Sequence, residues 1–91
     1  MHNLITLEEA HNYIREGALL IDVRDKDEYD KGYMKNAVNI PYKGILMDIR
    51  RYSKETIIIL YCSTGKRSHI AFNLLKKFGY NNVYDLGKGN Y

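Results

Sequence analysis

Apolar positions along the chain fall into short unbroken runs, and between the runs they recur at helical spacing. Residues 4–5, Leu-Ile, suit a very short edge strand. Thr6-Leu7-Glu8-Glu9 then has the pattern of a capping box, with Thr6 as N-cap and Glu9 as its reciprocal partner. Leu7, Ala10, Tyr13 and Ile14 follow on one helical face, and Gly17 is placed to end that helix. Residues 18–23 are apolar apart from Asp22, as expected for a parallel strand covered on both faces.

The alternation continues. Residues 24–32 are charged and end in Gly32, with Asp25 and Glu28 forming a second capping-box pattern that predicts a brief helix. Residues 37–40 suit a short strand stopped by Pro41, the only proline. Residues 43–52 place Ile45, Leu46 and Ile49 on one helix face. Residues 56–61, Thr-Ile-Ile-Ile-Leu-Tyr, are the most β-like stretch and predict the central strand. From Ser68, a stripe of Ile70, Ala71, Leu74, Leu75 and Phe78 predicts a helix that ends near Lys76, Lys77 and Gly79. A last short strand at 82–86 leaves residues 87–91 as a flexible tail, in which Gly87-Lys88-Gly89 lacks the helix a dinucleotide fingerprint requires. Strand and helix alternate throughout, which predicts an α/β structure layered around a parallel sheet.

Ninety-one residues are enough for a single domain, 1–91, with one core. A content of 45% hydrophobic and 27% charged residues suits a globular protein. The net charge of +3 is spread along the chain without a dense basic face, so no nucleic-acid partner is expected. The single cysteine excludes an internal disulfide. No signal peptide is visible and no apolar run reaches membrane-spanning length, so no membrane association is expected and the expected location is cytoplasmic.

That cysteine carries the candidate chemistry. Tyr61-Cys62-Ser63-Thr64-Gly65-Lys66-Arg67-Ser68 joins the most β-like run to a helix. In parallel sheets, sites form where strands end and helices begin. The amides of a curled turn and the positive end of a helix stabilise an anion there, and Gly65 permits the backbone conformation of a tight curl. Lys66 and Arg67 add cations. All of these lower a thiol pKa, whereas an inert buried cysteine has no use for such a turn. Cys62 is therefore the expected nucleophile.

Along nearly its whole length the sequence resembles the rhodanese-like domains, the sulfurtransferases of the rhodanese superfamily. The resemblance rests on Ile5-Thr6 with Glu8-Glu9-Ala10; Leu20-Ile21-Asp22-Val23-Arg24; Glu28-Tyr29 and Gly32; Ala37-Val38-Asn39-Ile40-Pro41; Leu60-Tyr61-Cys62 with Gly65, Arg67 and Ser68; and Gly79-Tyr80 with Asn82-Val83-Tyr84 and Leu86. It implies a three-layer α/β/α fold with a five-stranded parallel sheet, and a cysteine cycling between thiolate and persulfide. Two segments depart from the family pattern. Gly32-Tyr33-Met34-Lys35-Asn36-Ala37 stands where the family usually has Gly-His-Ile-Pro-Gly-Ala, and the chain has none of the tryptophan often found near the C-terminus.

Four residues, Ser63 to Lys66, separate Cys62 from Arg67. Cysteine phosphatases and arsenate reductases have one more, so the shorter ring of amides fits a single sulfur better than a phosphate. The resemblance thus implies that Cys62 takes the outer sulfur of thiosulfate or a persulfide and passes it to cyanide, a thiol or another protein. Ser63, Thr64, Gly65, Lys66, Arg67 and Ser68 are the expected binding residues, with Lys66 and Arg67 attracting a small anionic donor. With no second cysteine, the acceptor must be external. The alternative is a non-catalytic persulfide carrier or sulfide-sensing module. Asp22 and Arg24 are expected to close a strand end as an ion pair in support of the loop, and Glu28 to act as a helix cap. Phe72 and Phe78 are expected in the packing, His69 exposed, and Tyr33 able to rim the site. His2 and His11 show no metal spacing with Cys62, so neither metal nor cofactor is expected, and the protein is expected to be a monomer.

Overall fold

A computed structural model describes residues 3–91. The sheet is built from β1 (Leu19–Asp22), β2 (Val38–Asn39), β3 (Ile58–Cys62) and β4 (Val83–Lys88), in the spatial order β2-β1-β3-β4. All three pairings are parallel. The helices are α1 (Leu7–Arg15), α2 (Lys26–Asp30), α3 (Ile45–Asp48) and α4 (Lys66–Lys77). Three-layer packing follows from side-chain alternation along the strands. Ile21, Val23, Ile58, Leu60, Cys62 and Val83 face Ile45 and Ile49 around α3 and Ala71, Phe72 and Leu75 of α4. Leu20, Ile59, Tyr61 and Leu86 face the opposite way, onto Ala10 of α1, Met34 and Ala37. Each large apolar side chain fully buried here contributes roughly 1.5–3 kcal/mol relative to exposure.

The sheet has four strands, not the five expected. The residues expected to form the fifth make only an isolated parallel bridge, Leu4 to Asp85. Ile5 N–H donates to the Asp85 carbonyl at 2.9 Å and Asp85 N–H to the Asn3 carbonyl at 2.8 Å. The next residue, Thr6, is already the N-cap of α1, with both bonds of its capping box to Glu9 formed, so the strand has no room to extend. The predicted helix over 43–52 is similarly interrupted: 3-10 turns at Tyr42–Gly44 and Ile49–Arg51 flank the single α-helical turn of α3.

α4 begins at Lys66, two positions earlier than the Ser68 start expected from sequence, and its buried stripe is Ser68, Ala71, Phe72 and Leu75. Ile70 and Phe78, both expected in the packing, are exposed, whereas Phe72 is buried. The residues expected to form a flexible tail are ordered. β4 runs to Lys88, with a register shift between Leu60 and Tyr61 of β3 that leaves Leu86 as a bulge. Gly87 takes φ +79° at the bulge, and its N–H donates to Asp85 Oδ1 at 2.8 Å. Gly89 then donates to the Cys62 carbonyl at 2.9 Å and lies against the Tyr61 ring.

Candidate functional site

β3 ends on Cys62, at the edge of the sheet where the strands lead into helices. The chain turns through Ser63, Thr64 and Gly65, with Gly65 at φ +98° as the cap of α4. That left-handed residue folds the loop back over the sulfur. Gly65 N–H donates to Cys62 Sγ at 3.0 Å and Ser68 N–H at 3.4 Å. The Ser68 hydroxyl lies 3.7 Å from the sulfur, and Thr64 contributes a further backbone hydrogen bond. Burial opposes ionisation of the thiol, but these donors together outweigh it and hold the Cys62 pKa below its ordinary value. The arrangement stabilises a sulfur anion at the N-terminus of a helix. Cys62 is 0% exposed, so the sulfur is closed off from solvent in this conformation.

The sequence places Lys66 and Arg67 side by side, but their environments differ. Lys66 is exposed and makes no ion pair among the described residues. Arg67 reaches across to α2, where its guanidinium donates to both Glu28 oxygens at 2.6 and 3.0 Å. It also donates to Ser63 Oγ at 3.0 Å. The Arg67 hydrogen bond holds the Glu28 carboxyl down at about 2, against the smaller opposing effect of burial, and Glu28 in turn raises the Arg67 pKa. Glu28 also accepts from Asp25 N–H at 3.3 Å, the capping role expected of it. Its second role, tying α2 to the cysteine loop, has no local sequence signal because the partners lie 39 residues apart.

Asp22 and Arg24 form the expected ion pair at the end of β1. The Arg24 guanidinium donates to Asp22 Oδ2 at 2.7 Å, and Arg24 N–H donates to Oδ1 at 2.9 Å. Both side chains are buried. The hydrogen bond to Asp22 is the main reason the Arg24 pKa is raised. Arg24 also donates to the Gly32 carbonyl at 2.6 Å, and its guanidinium lies 4.0 Å from the centre of the Tyr91 ring. The atypical loop that follows Gly32 has a second anchor, since Met34 N–H donates to the Tyr61 hydroxyl at 2.9 Å. Burial, reinforced by a hydrogen bond to Asp22, raises the Tyr61 pKa. Tyr61 and Asp22 are direct cross-strand partners, so this network sits on the sheet face opposite Cys62.

The remaining candidates lie at the margins. Tyr33 is about half exposed and stacks on Tyr29 with ring centres 4.1 Å apart. His69 is half-buried in the first turn of α4, with a ring nitrogen 3.3 Å from the Asn73 amide. Among the described residues no group of three or more His, Cys, Asp or Glu side chains could hold a metal ion, and His2 lies outside them. No helix of the described residues is long and apolar enough to cross a membrane.

Among known proteins, the adenylyltransferase and sulfurtransferase uba4 of Ogataea parapolymorpha is 38% identical over 68 residues, which are 74% of this chain and 18% of that protein. Its Debaryomyces hansenii counterpart is 31% identical over 98 residues, 93% of this chain and 22% of that protein. The chain thus spans about a fifth of the length of these relatives. The solved E. coli rhodanese with anions is 30% identical, with a TM-score of 0.74 over 78% of this chain and 87% of that one. The human single-domain sulfurtransferase TSTD1 shares the fold, with a TM-score of 0.78 at 24% identity, over 100% of this chain and 93% of that one. The family model described as the rhodanese-like domain matches residues 6–90, and the chain belongs to that family.

Proposed function

We propose that the protein is a sulfurtransferase working through a persulfide on Cys62. The observation that carries this reading is the convergence of Gly65 N–H and Ser68 N–H on one buried sulfur at a helix N-terminus, with the Ser68 hydroxyl 3.7 Å from it. Such donors favour the thiolate as nucleophile and afterwards the terminal sulfur anion of a persulfide. In the first half-reaction the Cys62 thiolate attacks the outer sulfur of the donor. With thiosulfate, the donor S–S bond breaks as the Cys62 S–S bond forms, and sulfite leaves with the electron pair. In the second half-reaction a thiolate, cyanide or a protein acceptor attacks the outer sulfur and Cys62 leaves as the thiolate. No net oxidant is consumed.

The acceptor is external because the chain has a single cysteine. Ser63 and Arg67 brace the loop, Thr64, Gly65 and Ser68 supply donors, and Lys66 is the loop's exposed cation. The sulfurtransferase relatives support the class of reaction. A second reading, a persulfide carrier loaded and unloaded by other proteins, is favoured by the single cysteine, which leaves no internal acceptor for the sulfur. Intact mass after incubation with thiosulfate or a low-molecular-weight persulfide tests the first reading. A gain of one sulfur atom, followed by thiocyanate formation with cyanide and lost in Cys62→Ala, is the expected result. A persulfide that forms without turnover selects the carrier, and no sulfur uptake from either donor refutes both.

A further inference from the structure

The Glu28–Arg67 pair bears on which donor the site takes. Arg67 is a cation of the cysteine loop, held at its base by a bond to Ser63, the neighbour of Cys62. Yet both oxygens of Glu28 are bonded to it, and a third bond runs to Ser63, the residue that follows Cys62. The pair has zero net charge at neutral pH. The Glu28 side chain is 38% exposed and that of Arg67 22%, so solvent weakens the pair without dissolving its bidentate geometry. What remains directed at the sulfur is a pair of neutral backbone donors, with the neutral Ser68 hydroxyl beside them. Neutral donors suit a singly charged terminal sulfur, and the loop's other cation, Lys66, is exposed to solvent, which weakens its pull on a dianionic donor.

We infer that Glu28 is a specificity-determining residue, which by occupying Arg67 turns the site away from thiosulfate and toward persulfides of the type R–S–SH, on small thiols or on protein cysteines. This rests on the sulfurtransferase reading of Cys62. The Cys62 thiolate attacks the outer sulfur of R–S–SH, the donor S–S bond breaks, and RS⁻ leaves. The outer sulfur, still carrying its proton, arrives on Cys62 and then ionises against the Gly65 and Ser68 amides. Atoms and electrons balance without an added oxidant. Glu28 touches neither sulfur, so it acts through Arg67.

The test measures kcat/KM for thiosulfate and for glutathione persulfide, each with the same thiol acceptor, in the wild type, Glu28→Gln and Glu28→Gln/Arg67→Gln. Freeing Arg67 should raise the thiosulfate-to-persulfide ratio about tenfold in Glu28→Gln, mostly through a lower KM for thiosulfate. The double variant should return the ratio to near the wild-type value. If Glu28 only braces the loop, both donors and alkylation by neutral iodoacetamide change by the same factor, and the inference falls. It falls also if the double variant keeps the raised ratio, because Arg67 would then not be the mediator. A wild type that takes sulfur from neither donor refutes the sulfurtransferase reading instead, which separates the two failures.

Discussion

The Ser68 hydroxyl sits 3.1 Å from the Gly65 carbonyl and 3.7 Å from Cys62 Sγ, so a single proton has two acceptors. While the cysteine is protonated, the thiol can donate to Ser68 Oγ and the hydroxyl can donate to the carbonyl. Once the thiolate forms, the hydroxyl can turn to the sulfur, and in a persulfide the single negative charge moves from Sγ to the outer sulfur. Ser68→Ala removes this adjustable donor but keeps the backbone N–H. The pH midpoint of Cys62 alkylation should rise, and stability should fall by about 1 kcal/mol in urea unfolding. An unchanged midpoint would show that the amides alone set the acidity.

Cys62 acidity should also register in folding. Its folded pKa lies below the unfolded value of about 9, so over that window the unfolded chain binds more protons. Stability should therefore rise with pH through the window, and Cys62→Ser should flatten the rise. Urea titrations at several alkaline pH values measure it.

Glu28 gives the corresponding effect in acid. Its carboxyl titrates at about 2 in the fold against 4.5 for the free group, so its contribution is complete above 4.5 and is lost as pH falls toward 2. Because the side chain is more than a third exposed, that contribution should not exceed about 1 kcal/mol. Glu28→Gln should reduce the acid sensitivity over this window, read from thermal midpoints. An unaltered acid profile would mean that the ion pair does not persist in solution.

Gly89 is constrained by space. A Cβ built there would lie 2.2 Å from Tyr61 Cδ1 and 2.9 Å from a ring atom of Tyr91. Gly89→Ala should cost about 1–3 kcal/mol by overpacking. The thermal midpoint should drop by roughly 4–8 °C per kcal/mol for a domain of this size. A neutral result would show that the segment after β4 can lift off Tyr61.

The ion pair at the end of β1 should be far more sensitive than an exposed one. Arg24→Leu leaves the buried Asp22 carboxylate without its partner and should cost about 3–5 kcal/mol. Lys26→Ala, which breaks an exposed pair with Asp30, should leave stability nearly unchanged. Denaturant midpoints of the two variants compare them directly.

The order of elements was legible because apolar runs of strand length and capping boxes are local patterns. Both boxes, at Thr6 and Asp25, are where the sequence places them. The cysteine loop was legible for the same reason: the strand, the glycine turn and the helix are contiguous. Contacts between distant segments were not. The role of Tyr61 as anchor for Met34, the hold of Glu28 on Arg67, and the packing of Gly89 all join residues far apart in sequence. The missing fifth strand shows a related limit, since Leu-Ile has strand-like residues but no room before the Thr6 cap. Ile70 and Phe78 were misassigned because the face that meets the sheet is the adjacent stripe of Ser68, Ala71, Phe72 and Leu75, whose buried serine does not register in a pattern of apolar residues.

Tyr61 and Cys62 are consecutive, yet their side chains belong to opposite layers. One is bonded to the loop after Gly32 and the other lies among the amides of the cysteine turn. A single peptide unit therefore joins the layer that anchors the loop after Gly32 to the layer that holds the sulfur, and the two surfaces share one stretch of backbone.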